Sequence, residues 1–368
     1  MSQVSYIGPL FDYSGYGEAN RHAVAALHAA GCDVYAKAVS YTMSTADMGS
    51  MGALMRELCE KVGTPRINIV HTTPDQYHKF ITKEQYNIGH FFWETDKVPD
   101  KYAEGIELMD EIWTGSRANE EAIRAGGYKG PIKIFPQAIQ TDREWPKKPY
   151  KLREHTGFTF YSMFEWTDRK NPYGLLSAYW SEFKPDEDVA LVIKTYFRDF
   201  TRQNKDQIRG QIRYFKERMN MVKIPKTYLF LDLLDRQHIE RLHKSFDCFV
   251  LPHRGEGWGI PAVEAMLAGN PVITSGYGGA GEYLDEVQGA VALDYQMVPV
   301  TGMAHTTLYT NEQKWAEPDL AQLRKAMRDQ FEKQKLVGKT CKTFVENNWN
   351  LKTVGELMAQ RLKEIEEL

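Results

Sequence analysis

Residues 247–274 read Asp247-Cys-Phe-Val-Leu-Pro-His-Arg-Gly-Glu256-Gly-Trp-Gly-Ile-Pro-Ala-Val-Glu264-Ala-Met-Leu-Ala-Gly-Asn-Pro-Val-Ile-Thr274. An apolar strand (Cys248 to Leu251) runs into a loop carrying Gly255, Gly257 and Gly259 and then into Pro261, which suits a first helical turn because its missing N–H would be unpaired there. A helix is therefore predicted to start at about Pro261 to Ala262, followed by a strand over Pro271 to Thr274. The free amides and positive dipole end of such a helix point back at glycines that cannot block an approaching anion. This is a seat for phosphate. Glu256 is expected on the loop side and Glu264 in the first turn, where their carboxylates could accept hydrogen bonds from hydroxyls on either side of the anion. A sugar nucleotide has that shape. The plainer alternative is that Glu264 only complements the helix dipole and Glu256 is a solvated loop residue.

Strand and helix alternate on both sides of this stretch. In the first third, strands are predicted at Val4 to Leu10, Cys32 to Val39, Arg66 to His71, Tyr86 to Trp93, Glu111 to Gly115 and Ile132 to Phe135. Helices fall at Glu18 to Ala30, Leu54 to Val62, Lys101 to Met109 and Arg117 to Ala125. A polar break from Glu144 to Arg153, with Pro146 and Pro149, reads as a linker. The pattern resumes with strands at Phe158 to Met163, Val189 to Thr195 and Thr227 to Leu231, and helices at Asn171 to Phe183, Asn204 to Met221 and Arg236 to Lys244. Segment 287–318 gives no clear period, although Trp315-Ala-Glu-Pro-Asp looks like a helix start. The last stretch, Leu336 to Leu368, reads as helix broken near Asn347 to Asn350. Such alternation implies an α/β fold of two doubly wound, Rossmann-like domains, with ligands beyond the carboxyl ends of the strands and a site expected in the cleft between the domains.

The stretch from Asp247 to Gly269, with its strand, glycine spacing, proline and Glu-(seven residues)-Glu helix, resembles the family 4 retaining glycosyltransferases of GT-B fold. The resemblance implies three parts: an acceptor-side domain over 1–145, a nucleotide-sugar domain over 146–350, and a terminal helix over 351–368 that crosses back to the first domain. It also implies transfer of a sugar from a nucleotide diphosphate to an acceptor hydroxyl with retention. In that reading Glu264 meets the ribose hydroxyls and Glu256 the sugar hydroxyls, while Gly257, Gly259 and Ile260 lie against phosphate and sugar. UDP-sugars are the favoured donors, with GDP-sugars as the second choice.

Other residues gain meaning beside that frame. Gly15 and Gly17 form a Gly-x-Gly loop after the first strand, and by position they inherit a place near the donor diphosphate. No third glycine completes a dinucleotide fingerprint. Arg169 and Lys170, just past the first strand of the second domain, are suited to stabilise a departing diphosphate; a solvated basic pair is the alternative. Lys194 ends a buried apolar strand and must face solvent or the cleft, as a phosphate contact or a plain strand-end lysine. On the first domain, His71, His90 and Glu94 are the acceptor-side candidates. Glu94 stands where relatives place a histidine, and His90 reads more simply as a core histidine. The loop Ser275 to Glu282 is expected to close one side of the donor pocket.

Lys205, Arg209, Arg213 and Lys216 fall on one face of the helix over 204–221, and the stretch from Arg198 to Lys226 holds nine basic residues against three acidic ones. That face is either simply solvated or a contact for a polyanionic acceptor, such as modified nucleic acid or a phospholipid-linked glycan. Over 368 residues the net charge is −3, so no global field draws the chain to polyanions. The N-terminus lacks a leader pattern and no apolar run is long enough to cross a bilayer, which predicts a cytoplasmic protein. Cys32, Cys59, Cys248 and Cys341 lack metal or redox spacing and are assigned packing roles. No Asp-x-Asp pair holds Mg²⁺ for the diphosphate, so no cofactor and metal independence are expected. A non-catalytic binding protein or an epimerase of the same architecture is the reading from a different class.

Overall fold

The computed structural model describes residues 2–40, 48–303, 306–333 and 338–368. It divides into two compact units, one of residues 1–144 with 344–368 and the other of residues 145–343.

Unit 1 contains β1 (Gln3–Gly8), α1 (Gly15–Ala29), β2 (Asp33–Ala38), α2 (Gly49–Glu60), β3 (Ile67–Val70), β4 (Tyr86–His90), α3 (Ala103–Glu107), β5 (Glu111–Thr114), α4 (Arg117–Ala125) and β6 (Ile132–Ile134). The six strands form one parallel sheet in the order β2-β1-β3-β4-β5-β6. The sequence extended the β4 strand to Trp93, but the ladder ends at His90, so His90 is its last residue and Glu94 lies beyond it.

Unit 2 contains β7 (Phe158–Glu165), α5 (Pro172–Glu182), β8 (Val189–Tyr196), α6 (Arg202–Arg218), β9 (Lys226–Phe230), α7 (Arg236–Ser245), β10 (Cys248–Leu251), α8 (Ile260–Ala268), β11 (Val272–Ser275) and β12 (Ala290–Leu293). After them come the antiparallel hairpin β13 (Tyr295–Pro299) and β14 (Lys314–Pro318), then α9 (Leu320–Lys333) and α10 (Gly338–Asn348), which runs across the boundary between the units, and last α11 (Leu351–Glu366), which belongs to unit 1. The second parallel sheet runs β12-β11-β10-β7-β8-β9, so strand order reverses between β7 and β10. β7, β8 and β10 are buried along nearly their whole length, and β10 and the first five residues of β8 accordingly read as continuous apolar runs.

One expectation fails here. Trp315 does not start a helix: it is a buried residue of β14, and the helix begins after Asp319, whose carboxylate accepts from the amides of Ala321 at 2.8 Å and Gln322 at 3.0 Å. The break expected near Asn347 to Asn350 is present: α10 ends at Asn348, and Asn350 caps α11 by accepting from the Thr353 amide at 2.9 Å. Leu336 and Val337, the first positions of the expected terminal helix, lie outside the described residues.

α11 belongs to the core of unit 1, where Val354, Met358, Leu362 and Ile365 pack with Val4, Tyr6, Leu27 and Ile69. Close approach to α1 depends on Gly355, since a Cβ there would come 2.0 Å from the carbonyl oxygen of Ala26. Arg361 closes the other end, donating from Nε to both oxygens of the fully buried Glu111 at 3.1 Å.

Candidate functional site

The reversal of strand order in unit 2 leaves a crevice where the loops after β7 and β10 diverge, and open α/β sheets bind ligands at such points. Both loops bring the predicted residues there. After β7 the chain makes a 3₁₀ turn over Asp168–Lys170 and enters α5 through Asn171, held at φ 53° with its side chain accepting from the Gly174 amide at 3.1 Å. After β10 it passes His253 and Arg254 to Gly255 and Glu256.

Lys170 Nζ is hydrogen-bonded to Glu256 Oε2, and both side chains are mostly buried. Arg169 donates from Nη1 to the carbonyl oxygen of Gly255 at 2.8 Å. Burial alone would raise the Glu256 carboxyl, but Lys170, Arg169 and His253 together outweigh it and hold the group at about 2. His253 is fully buried, which pushes its imidazole down to about 3 despite the Glu256 charge. The corner therefore carries an ionised carboxylate, a neutral imidazole and two cationic side chains.

Glu256 is followed by Gly257, Trp258 and Gly259, and α8 starts at Ile260 with no side chain capping its N-terminus. Gly259 sits at φ 91° and ψ 46°, a left-handed conformation in which any other residue is strained. The 275–282 loop does more than flank this segment. A Cβ on Gly279 would come 2.1 Å from the Gly257 carbonyl oxygen, and a Cβ on Gly278 2.4 Å from that of Glu256. The Gly279 amide donates to Glu256 O at 2.9 Å, and the hydroxyl of buried Tyr283 donates to Trp258 O at 3.0 Å. These glycines let two backbones touch and thereby fix the course of the loop.

Glu264 is the fifth residue of α8, not a first-turn acid as the sequence suggested. It is 3% exposed, bound to the Arg236 guanidinium, and 3.6 Å from His243 Nε2. A buried carboxylate beyond the first turn gains little from the dipole, so the plainer reading of Glu264 loses its physical basis.

The remaining candidates fall elsewhere. Gly15 and Gly17 are not in a loop but in the first turn of α1, where Ser14 Oγ accepts from the Gly17 amide at 3.1 Å. Lys194 does not face solvent: it is 7% exposed, its ammonium lies 4.9 Å from the Phe200 ring centre, and burial lowers it to about 8. His71 and His90 are buried and stacked at 4.0 Å between ring centres, with Tyr6 Oη 2.5 Å from His71 Nδ1. Burial pushes His71 down and takes His90 to about 3. Glu94 is half-buried. On the basic helix, Lys205 pairs with Asp232 at 2.6 Å and Arg209 with Asp206 at 2.8 Å. The four cysteines are free.

Two arginines escaped the sequence reading. Arg254 donates from Nε to Glu317 Oε2 at 2.6 Å and from Nη1 to the Asp168 carbonyl at 2.9 Å, while its amide donates to Arg169 O at 2.7 Å. It ties the loop after β10 to β14. Arg236 bridges Glu264 and Glu240. Its spacing from Glu240 was visible as an i, i+4 pair, but nothing local connected it with Glu264.

Residues 151–296 match the family described as Glycosyl transferases group 1. An uncharacterized glycosyltransferase of Methanocaldococcus jannaschii is 35% identical over 77 residues, 21% of this chain and 20% of that one. The match thus spans about a fifth of the length of that curated relative. Among solved structures, sucrose-phosphate synthase from Thermosynechococcus elongatus has a TM-score of 0.68 at 12% identity, covering 99% of each chain. Anabaena HepE in complex with UDP-glucose has a TM-score of 0.64 at 12% identity, covering 99% of this chain and 100% of that one. The fold is GT-B. No helix among the described residues is long and apolar enough to cross a membrane.

Proposed function

We propose that the chain is a retaining glycosyltransferase of family 4 type that moves a sugar from a nucleoside diphosphate, UDP by preference, to an acceptor hydroxyl. The observation that carries this reading is the meeting of Lys170, Arg169 and Glu256 at the strand-order reversal, beside the uncapped start of α8. Backbone amides of Gly259 and Ile260 with two fixed cations suit a diphosphate, whose charge grows as the glycosidic bond breaks. Glu256, ionised throughout the neutral range, accepts hydrogen bonds from donor-sugar hydroxyls and keeps Lys170 oriented. Glu264 receives the ribose hydroxyls, exchanging part of its contact with Arg236. In the transfer the bond from C1 to the phosphate oxygen breaks and the bond from C1 to the acceptor oxygen forms on the same face. The departing phosphate oxygen takes the acceptor proton. Side-chain cations serve the leaving group, and the reaction is expected to proceed unchanged in EDTA.

The test is a panel of UDP- and GDP-sugars in a thermal-shift assay, followed by release of free sugar and nucleoside diphosphate. One donor should raise the melting temperature and be hydrolysed slowly. Stabilisation with no turnover under any acceptor would leave a binding protein in place of an enzyme.

A further inference from the structure

We propose that the β13–β14 hairpin is a brace for the corner around Glu256, with Arg254 and Glu317 as its positioning residues. What the corner binds rests on the transferase reading, whereas the brace rests on contacts inside unit 2. β14 lies past residue 296, where the match to the glycosyltransferase family ends.

A two-stranded hairpin is marginal by itself and needs a surface to pack on. β14 packs through Trp315, 1% exposed, whose ring centre lies 5.3 Å from the Arg254 guanidinium. The backbone of Arg254 is held from both sides. Its carbonyl accepts from the Ala316 amide at 2.8 Å, and its amide donates to Arg169 O at 2.7 Å. The side chain repeats the bridge: Nε and Nη2 donate to the two oxygens of Glu317 at 2.6 and 3.2 Å, while Nη1 donates to Asp168 O at 2.9 Å. Such a fork is specific to arginine, since lysine carries its charge on one nitrogen and cannot reproduce it.

β13 reaches the same corner from another direction. Tyr295 meets Tyr277 edge to face, with 5.4 Å between ring centres. Tyr277 directly precedes Gly278 and Gly279, and the Gly279 amide donates to Glu256 O. The hairpin thus holds the loops after β10 and β11 directly, and the turn after β7 through Arg254.

Folding gains little from this arrangement. The Arg254 and Glu317 side chains are 23% and 36% exposed, and ion pairs at such exposure add little to stability. Position gains more. The carbonyls that Arg254 grips belong to Asp168 and Arg169, in the turn that carries the Arg169 and Lys170 cations, so a shift of the guanidinium shifts both cations. A misplacement of about 1 Å at a reacting centre can cost on the order of 100-fold in rate.

Arg254→Lys, Glu317→Ala and the double variant are compared with the wild-type full chain by hydrogen exchange on peptides covering 165–172 and 252–258, and by calorimetric titration with UDP and GDP. Each single variant should speed exchange in both peptides and weaken the nucleotide about tenfold, with the urea midpoint close to that of the wild type. The double variant should lose little more than either single one, because the two residues act as one grip. The proposal is overturned if exchange in the 165–172 peptide is unchanged, or if the two losses add. It also falls if Arg254→Lys binds nucleotide as the wild type does, which would make Arg254 a plain charge for phosphate. A urea midpoint that drops in step with nucleotide affinity would overturn it as well, by reducing the pair to a stabilising contact. If exchange accelerates as expected but the wild type binds neither UDP nor GDP, the brace stands and the transferase reading falls.

Discussion

The guanidinium of Arg236, at the first position of α7, is bound to the carboxylate of Glu264 in the middle of α8, while its Nε donates to Glu240 Oε1 at 3.0 Å. One cation thus serves two buried carboxylates. Burial raises the Glu240 carboxyl, and Arg236 opposes that effect. Removing the arginine leaves both acids without their cation. Arg236→Ala is expected to destabilise unit 2 by about 1–3 kcal/mol, below the usual value for a broken buried pair because Arg236 is partly exposed. Urea unfolding measures it, and a change under about 0.5 kcal/mol would show that the cluster carries no net stability.

Lys170 and Glu256 form the second such relationship, and their roles are best separated by a double-mutant cycle. Glu256→Gln and Lys170→Met should each lower turnover at least 100-fold, with circular dichroism unchanged. Because each partner orients the other, the double variant should lose little more than either single one. Fully additive losses would mean that the pair does not act as a unit.

Contacts with glycine give a sharper contrast. A Cβ on Gly279 meets the Gly257 carbonyl, whereas a Cβ on Gly15 meets nothing within 4 Å. Gly279→Ala should shift the 255–258 loop, weaken donor binding about tenfold or more, and lower the melting temperature. Gly15→Ala should fold with stability unchanged within about 0.5 kcal/mol.

Acid should destabilise the protein in two stages. His71, His90, His243 and His253 are buried and held below the ordinary imidazole value, His90 and His253 at about 3. The unfolded chain takes up these protons near pH 6.5 and the native chain does not, so stability falls as pH drops from about 6.5. Each such histidine contributes a slope of up to about 1.4 kcal/mol per pH unit. Below about pH 4.3 the unfolded Glu256 carboxyl also protonates, while the native one stays ionised to about 2, adding to the loss. Urea midpoints between pH 7.5 and 4 follow this, and a flat profile would refute it.

The sequence made the two alternating blocks legible because buried parallel strands such as Val189–Tyr196 are apolar on both faces. The corner around Glu256 was legible for a local reason: strand, glycines, proline and helix follow one another within a short stretch. Lys194 was misplaced because a lysine after an apolar run usually reaches water, while here Phe200 folds over it. The β13–β14 hairpin was missed because Tyr295 and Gln296 are exposed and leave no alternating pattern. Arg254 reaches Glu317 across 63 positions, and no local period announces a contact of that range.

The place of α11 in the core of unit 1 has a consequence for how the chain acquires its structure. Vectorial synthesis delivers β1 to β6 first, but Val354, Met358, Leu362 and Ile365, which complete their apolar layer, arrive after the whole of unit 2. Glu111 likewise waits for Arg361 across 250 positions. The first-made unit is therefore the last to be finished. Until α11 docks, Ala26 and its neighbours on α1 present an open apolar groove on the nascent chain, and a truncation before Leu351 would leave that groove permanently exposed.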